Sequence, residues 1–315
     1  VSDLVGERPW VVAVTAEGRL TEARSDLVWS VGRRPVFEVR TASGRRLRAT
    51  AEHRVLAGSG WTTVATLRKG DRLALARRLP QPARTETWPD GRVALLGHMI
   101  GDGSYLPGQP LRYTTGSLEN AELVADVAEE EFGLTVHWRR GRGNWFQLLL
   151  SGNGDRWHPR GLNHWLRDLG IFGQRSREKR LPGAVYMLDD RQVALLLRHL
   201  WATDGTVAPR KGGSRGSAGV HFSTASQGLA DDVAALLLRL GIVARIRSVS
   251  QGAGRGYTVN ISGRDSLWTF VEKVGGFGTR AAGVDALRRS LAYSVGNTNA
   301  DTLPHEVFDR VRERV

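Results

Sequence analysis

The chain contains no cysteine among its 315 residues, so it can hold neither a disulfide framework nor a thiolate zinc site. No basic n-region followed by an apolar core opens it, and no apolar run reaches the length a membrane span requires. A cytoplasmic, bacterial protein without a membrane partner is expected. A Gly-x-x-x-x-Gly-Lys-Ser/Thr loop is also missing, which removes a P-loop nucleotide site. His137, His158, His164 and His221 lack metal-ligand spacing with one another. Acidic residues are in deficit, 32 against 45 Lys and Arg, leaving a net charge of +13. Most of that charge is arginine, the side chain suited to phosphate and guanine contacts, and affinity for a nucleic acid would fall steeply with salt. Charge alone would equally fit a protein whose genome replaces Lys with Arg.

What is present is an apolar helical pattern ending in Asp-Gly, found twice. Leu95-Leu96-Gly97-His98-Met99-Ile100-Gly101-Asp102-Gly103 and Leu197-Arg198-His199-Leu200-Trp201-Ala202-Thr203-Asp204-Gly205 place their acids 102 residues apart. A carboxylate at a helix C-terminus is disfavoured by about 0.3–1 kcal/mol, and a divalent cation would offset that cost. One Asp-Gly reads as a turn dipeptide; two in the same setting read as a site on a pseudo-twofold axis. The repetition continues downstream. Thr115-Gly116-Ser117 and Thr224-Ala225-Ser226 lie 109 apart, and Ser151-Gly152 and Ser262-Gly263 lie 111 apart. Each Thr-x-Ser precedes an amphipathic helix (118–132 and 229–240), and each helix precedes two strands separated by a basic, Gly-rich turn. The spacing predicts two copies of one αββαββα unit.

On these residues the region from about Arg92 to Gly276 resembles a monomeric LAGLIDADG (dodecapeptide, DOD-type) homing endonuclease. The resemblance implies that the two motif helices pack side by side and that Asp102 and Asp204 hold Mg²⁺ at the scissile phosphates of double-stranded DNA. It places Gly97, Gly101, His199 and Thr203 at the helix-packing positions. Glycine inside a helix costs about 1 kcal/mol relative to alanine, which makes sense where another backbone comes close; His199 and Thr203 depart from the small residues of the pattern. Between the halves, Ser176-Arg177-Glu178-Lys179-Arg180-Leu181-Pro182 resembles the Lys-x-Ile-Pro block of intein-borne members. By that carry-over Lys179 is the catalytic lysine, with Arg177 and Arg180 as competitors.

Upstream, strand-like runs at 11–14, 27–31, 36–40, 45–49 and 72–76, punctuated by Glu17-Gly18, Gly32, Ser43-Gly44 and Lys69-Gly70-Asp71, give an all-β reading. Ser43 to Leu56, with Gly60-Trp61 and Leu67 to Asp71, resembles the second splicing block of intein (Hint) domains. There the Thr-x-x-His pair, here Thr50 and His53, engages the upstream scissile peptide bond. Because the chain runs from Val1 to Val315 without a junction Cys or Ser and without a terminal His-Asn, it is expected to be an intein fragment that does not splice alone. The whole pattern is similar to inteins of actinobacterial replicative DNA helicases of the DnaB type.

The fold class expected is therefore α+β: a partial all-β Hint subdomain (1–79), a proline-rich linker (80–91), a pseudo-twofold endonuclease of two repeats (92–175 and 188–276) and a basic helical segment (277–315). The DNA-binding residues expected on the strands and turns are Arg112, Tyr113, Arg139, Arg140 and Arg142 in the first half. In the second half they are Arg210, Lys211, Arg215, Arg245, Arg247 and Arg255. Trp138, Trp145, Trp165 and Trp268 are expected in core positions. The function expected is metal-dependent double-strand cleavage at a long asymmetric DNA site by a monomer, with a host extein in cis, a replicative DNA helicase. The alternatives are a decayed LAGLIDADG DNA-binding protein, or an intein whose only activity, when complete, is protein splicing.

Overall fold

Alternating apolar residues and glycine-bearing turns at the start of the chain form three separate hairpins in the computed structural model, which describes residues 2–58, 60–143, 145–209, 218–251, 254–293, 308 and 311–313. β1 (Trp10–Val14) pairs with β2 (Leu20–Arg24), β3 (Phe37–Arg40) with β4 (Arg46–Ala49), and β5 (Arg54–Ala57) with β6 (Gly60–Thr63), all antiparallel. These hairpins belong to one of two units, residues 1–80 with 297–315; the other is 81–296. A two-stranded ribbon buries little by itself. Trp10, Trp29 and Val36 accordingly stay exposed, and Ala49 and Val64 are the buried apolar residues of this stretch. The strands expected at 27–31 and 72–76 do not form. Val28 exchanges backbone hydrogen bonds only with Gly6 and Glu7, and Leu73 makes a single bridge to Ala57. β2, β5 and β6 were not expected from the sequence.

The second unit is built on two helices that end in acid. α1 (Asp90–Asp102) is followed by β7 (Gly103–Ser104), β8 (Leu111–Thr115), α2 (Leu118–Phe132), β9 (Thr135–Arg140), β10 (Phe146–Ser151) and α3 (Gly161–Asp168). The same order then returns: α4 (Asp190–Asp204), β11 (Gly205–Ala208), β12 (Gly219–Thr224), α5 (Gln227–Arg239), β13 (Ala244–Gln251), β14 (Gly254–Ile261) and α6 (Arg264–Thr269). α7 (Ala281–Ala292) closes the unit. The strand orders are β7-β8-β10-β9 and β11-β12-β14-β13, antiparallel throughout.

Each Thr-x-Ser does the same local work. Ser117 Oγ accepts from Asn120 N at 3.3 Å and Ser226 Oγ from Leu229 N at 3.1 Å, so each serine caps its helix. The threonine two residues before holds the serine itself, Thr115 Oγ1 accepting from Ser117 N at 3.2 Å and Thr224 Oγ1 from Ser226 N at 3.1 Å. The sheets present alternate residues to the core: Leu111, Tyr113, Leu148 and Leu150 in one, Val220, Phe222, Val259 and Ile261 in the other.

Two expected boundaries shift. The proline-rich stretch is docked from Gln81 onward: its side chain accepts from Asp190 N at 2.8 Å, Glu86 N donates to Met187 O at 2.8 Å, and Trp88 packs edge-on to Trp165 at 5.8 Å. α7, expected within a separate basic segment, contributes Val284, Leu287 and Leu291 to the core of this unit, because its apolar residues recur at helical spacing. Trp138 and Trp145 are 44% and 41% exposed on β9 and just before β10, rather than in the core. Among the described residues no helix is long and apolar enough to cross a membrane.

Candidate active site

Glycines bring the two motif helices together. A β-carbon on Gly97 would lie 2.9 Å from Leu200 N and 3.0 Å from His199 Cβ, and one on Gly101 would lie 2.0 Å from Thr203 Oγ1. α1 and α4 therefore meet backbone against side chain along a seam. At its far end Arg191 grips Asp90 through two hydrogen bonds of 2.7 and 2.9 Å. At the near end both helices stop at their acid, and both chains leave in extended conformation at Gly103 and Gly205 while each glycine N–H still bonds the carbonyl four residues back. That turn has no room for a side chain: a β-carbon on either glycine would come within 2.4 Å of that same carbonyl oxygen.

Asp102 and Asp204 consequently share one electrostatic site. Burial raises the Asp102 carboxyl to about 6, and the charge of Asp204 pushes the same way; Lys179 and Arg280 oppose them. Asp204 is raised for the same first reason, desolvation, again opposed by Lys179 and Arg280. Its side chain nonetheless keeps access to water, because it opens onto a cavity of about 410 Å³. Lys179, Ser176, Ser223 and Tyr257 line that cavity as well.

Lys179 reaches the acids from the connecting segment. Its Nζ donates to Gly101 O at 2.7 Å and Gly103 O at 3.0 Å and lies 5.5 Å from the Tyr105 ring centroid. Burial lowers its ammonium to about 8, the two carboxylates holding it from falling further. The two basic neighbours of Lys179 are placed differently. Arg180 is engaged by Asp232 through two 2.7 Å bonds, while Arg177 is exposed. Asp232 also accepts from Leu181 N and the Tyr186 hydroxyl, and Ser226 Oγ donates to Lys179 O at 2.7 Å. The lysine is thus aimed by the helix that follows the second acid.

A buried polar chain crosses the seam, which the sequence reading missed. The Tyr113 hydroxyl and His98 Nδ1 are 2.8 Å apart, and His98 Nε2 and His199 Nδ1 3.1 Å. Burial holds both imidazoles below their ordinary 6.5, His199 at about 4, so both are neutral at pH 7. With both rings neutral each contact is one N–H or O–H bond, and the chain runs in either direction, from Tyr113 to His199 or from His199 to Tyr113. The signal available was His98 and His199 at matching places in the two motifs, one residue out of register. Tyr113 is therefore corrected: it is not a DNA-facing residue but fully buried, since it alternates with Arg112 and Thr114 and points into the core.

The opposite parity of each sheet is polar and basic. Cross-strand register puts Arg112, Leu149 and His137 in one row and Thr114, Gln147 and Arg139 in the next. In the second sheet Arg245, Asn260, His221 and Thr206 form one row and Arg247, Thr258 and Ser223 another. Arg140 and Arg255 fall on the other parity, opposite Phe146 and Ser250, and Arg140 stacks 5.7 Å over the Phe146 ring. They do not join these rows. Arg142 is exposed in the β9–β10 turn. Arg210, Lys211 and Arg215 lie outside the described residues. In the other unit Thr50 and His53 stand at the turn between β4 and β5, where His53 N donates to Thr50 O at 3.2 Å.

Among the described residues no cluster of three or more His, Cys, Asp or Glu side chains could hold a metal ion. The donor set on offer is two carboxylates, both raised by desolvation above their ordinary range. Such a set fits a hard divalent cation that takes one or two protein carboxylates and completes its shell with water and phosphate oxygens.

Residues 191–275, from the start of α4 to just beyond α6, match the LAGLIDADG-like domain. The whole chain is similar to longer proteins. It is 43% identical over 305 residues to the replicative DNA helicase DnaB of Rhodothermus marinus, covering 94% of this chain and 32% of that protein. It is 28% identical over 333 residues to the protein RecA of Mycobacterium bovis, covering 99% of this chain and 41% of that protein. The chain thus spans about a third of the first of these relatives and two-fifths of the second. A crystal structure of I-DmoI in complex with DNA and Mn is 18% identical with a TM-score of 0.41, covering 59% of this chain and 96% of that one.

Proposed function

We propose that the chain is an intein-borne, site-specific homing endonuclease making metal-dependent double-strand breaks in DNA. The observation that carries this reading is the pair Asp102 and Asp204, each ending one of two helices packed through glycine, with the Lys179 ammonium bonded on both sides of Asp102. Two acids whose ionisation is disfavoured by desolvation, and at Asp102 also by the charge of Asp204, gain from a divalent cation. A LAGLIDADG-like match on the second half, and the same element order in the first, support reading 92–175 and 188–276 as a pseudo-twofold pair.

Mg²⁺ held by Asp102 and Asp204 would supply a Lewis acid and an acidified water at the phosphate. The chain's own residues do the rest. Lys179 keeps one N–H beyond the two spent on carbonyls, available to a phosphate oxygen as charge builds on it. Arg112, Arg139, Arg245 and Arg247, flanked by His137, Gln147, His221 and Asn260, offer the two sheet faces to the DNA grooves, where arginine suits guanine and amides suit adenine.

The intein context draws on the relatives. A helicase and a RecA protein both align across nearly this entire chain, which spans only a part of each. A segment common to two differently named proteins supports an inserted element. Residues 1–79, with Thr50 and His53, would then be Hint sequence, and a DnaB-type helicase the host in cis. The reading extends to a cytoplasmic monomer.

The test is a supercoiled plasmid carrying the host-gene sequence joined without this insertion, incubated with Mg²⁺ or with EDTA. Linear product in Mg²⁺ alone is expected, while Asp102→Asn and Asp204→Asn shift the DNA without linearising it. Full cutting by either variant refutes the assignment. A wild-type protein that shifts the DNA and never cuts it is the decayed binder.

A further inference from the structure

Past the family match the chain turns back onto the acids. The 3-10 turn Gly278–Arg280 packs on α4, on the start of β11 and on α2. Three contacts fix its position. The Phe277 ring lies 4.6 Å from the His199 ring. Gly278, at φ +55°, fits where a β-carbon would come 2.5 Å from Asn120 Oδ1. Gly283, in the first turn of α7, is pressed against Val207 of the strand leaving Asp204, leaving 2.7 Å between a β-carbon and Val207 O. Arg280, which opens α7, is held beside that strand. Its Nε is buried and has no hydrogen-bond acceptor among the described residues. Its charge nonetheless reaches both carboxylates.

A guanidinium held in this way beside two acids, yet bonded to neither, lacks an acceptor that the protein does not provide. Lys179 differs, since two of its three N–H groups are occupied by Gly101 O and Gly103 O. We propose that Arg280 is a substrate-contacting residue: its guanidinium takes a non-bridging oxygen of one scissile phosphate, while Lys179 serves the other. The proposal rests on the nuclease reading and deepens it by making the two half-sites chemically unequal. Arginine offers a planar fork matched to phosphate, where lysine offers a point charge. Removing Arg280 therefore slows one strand more than the other.

The experiment uses the full chain with Arg280→Ala, Arg280→Lys and Lys179→Met on the plasmid described above, following supercoiled, nicked and linear DNA in Mg²⁺. Binding to a duplex of the same sequence is measured in Ca²⁺ over a range of salt. Arg280→Ala is expected to accumulate nicked circles, with second-strand cutting slowed about 100-fold and the slope of log affinity against log salt reduced by about 1. Arg280→Lys recovers the salt slope and part of the rate. Strand-resolved mapping of the nick should give opposite strands for Arg280→Ala and Lys179→Met. An Arg280→Ala protein that linearises the plasmid at the wild-type rate and keeps the salt slope overturns the proposal and leaves the nuclease reading standing. An Arg280→Ala protein that loses thermal stability is replaced by Arg280→Gln, and equal slowing of both strands with an unchanged slope overturns the proposal too. A wild-type protein that cuts no DNA fails the nuclease reading itself; an unchanged Ca²⁺ salt slope would then reject the Arg280 contact separately.

Discussion

The Lys179 ammonium donates to the carbonyl oxygens of Gly101 and Gly103 and so closes over the backbone on both sides of Asp102. A cation placed there does two things at once: it satisfies carbonyls at a helix C-terminus, where the dipole is negative, and it keeps a charge beside the two acids. Replacing it with methionine keeps the length and apolar stem and removes both functions. Lys179→Met should lower the cleavage rate by 10²- to 10³-fold, the loss typical of one charge-stabilising donor, with DNA affinity within a few-fold of wild type. A gel assay of rate and a binding titration decide it; a rate within threefold of wild type would show the ammonium to be structural only.

The Asp102 carboxyl is raised from 3.8 to about 6. Its charge is thus worth less folded than unfolded, and the linkage sign follows: stability is fully present below 3.8 and is lost as pH rises towards 6. Asp102→Asn should therefore raise the Tm of the metal-free protein by several degrees at pH 7.5 while ending double-strand cleavage. A calorimetric scan with EDTA checks the first, and an unchanged or lowered Tm would contradict it.

The same proton competes with metal. Below pH 6 a divalent ion must displace it, so Mg²⁺ affinity should climb about tenfold per pH unit between pH 5 and 6 and level off above. Titration calorimetry of Mg²⁺ binding at four pH values tests this. Asp102→Asn should flatten the profile, and a wild-type profile already flat from pH 5 would rule the linkage out.

His98 and His199 titrate with the opposite sign. Both folded pKa values lie below the ordinary 6.5, His199 at about 4. The stability they confer by staying neutral is full above 6.5 and is lost as pH falls from there towards 4. Urea unfolding from pH 4.5 to 7.5 is best done in an Asp102→Asn, Asp204→Asn background, which removes the competing carboxylate slope. Stability should drop with acid there, and His98→Gln with His199→Gln should remove most of the drop.

Gly101 offers a test in which two principles disagree in sign. Alanine improves an exposed helix over glycine by about 1 kcal/mol, but here its β-carbon would meet Thr203 Oγ1 at 2.0 Å and Thr203 Cβ at 2.6 Å. Overpacking of this kind costs about 1–3 kcal/mol, so Gly101→Ala should destabilise. Thr203→Gly should recover most of that loss in a double-mutant cycle of urea stabilities. A stabilised Gly101→Ala protein would mean the seam is looser than described.

Much of the candidate site was legible because it is local. Asp-Gly after an apolar helix, and Thr-x-Ser before one, are motifs whose geometry is set within a few residues, and the two copies fold alike at Asp102 and Asp204 and at Ser117 and Ser226. The hairpins of the first unit were less legible. Strand propensity there is not matched by partners, so apolar runs such as 27–31 form no strand while charged Leu20–Arg24 finds a neighbour in β1.

The sequence by itself determined the duplicated order of elements, the two acids and the basic strands, since periodicity, caps and turn residues act through contacts near in the chain. Only the tertiary structure decided which way side chains face and which distant groups meet. It turned Tyr113 inward to His98, bound Arg180 to Asp232 so that Lys179 reached the acids, and brought Arg280 back from beyond the second repeat. Those outcomes depend on register, helix approach and burial, and the partners lie 15 positions apart for Tyr113 and His98 and 50 or more for the others, beyond what a local pattern contains.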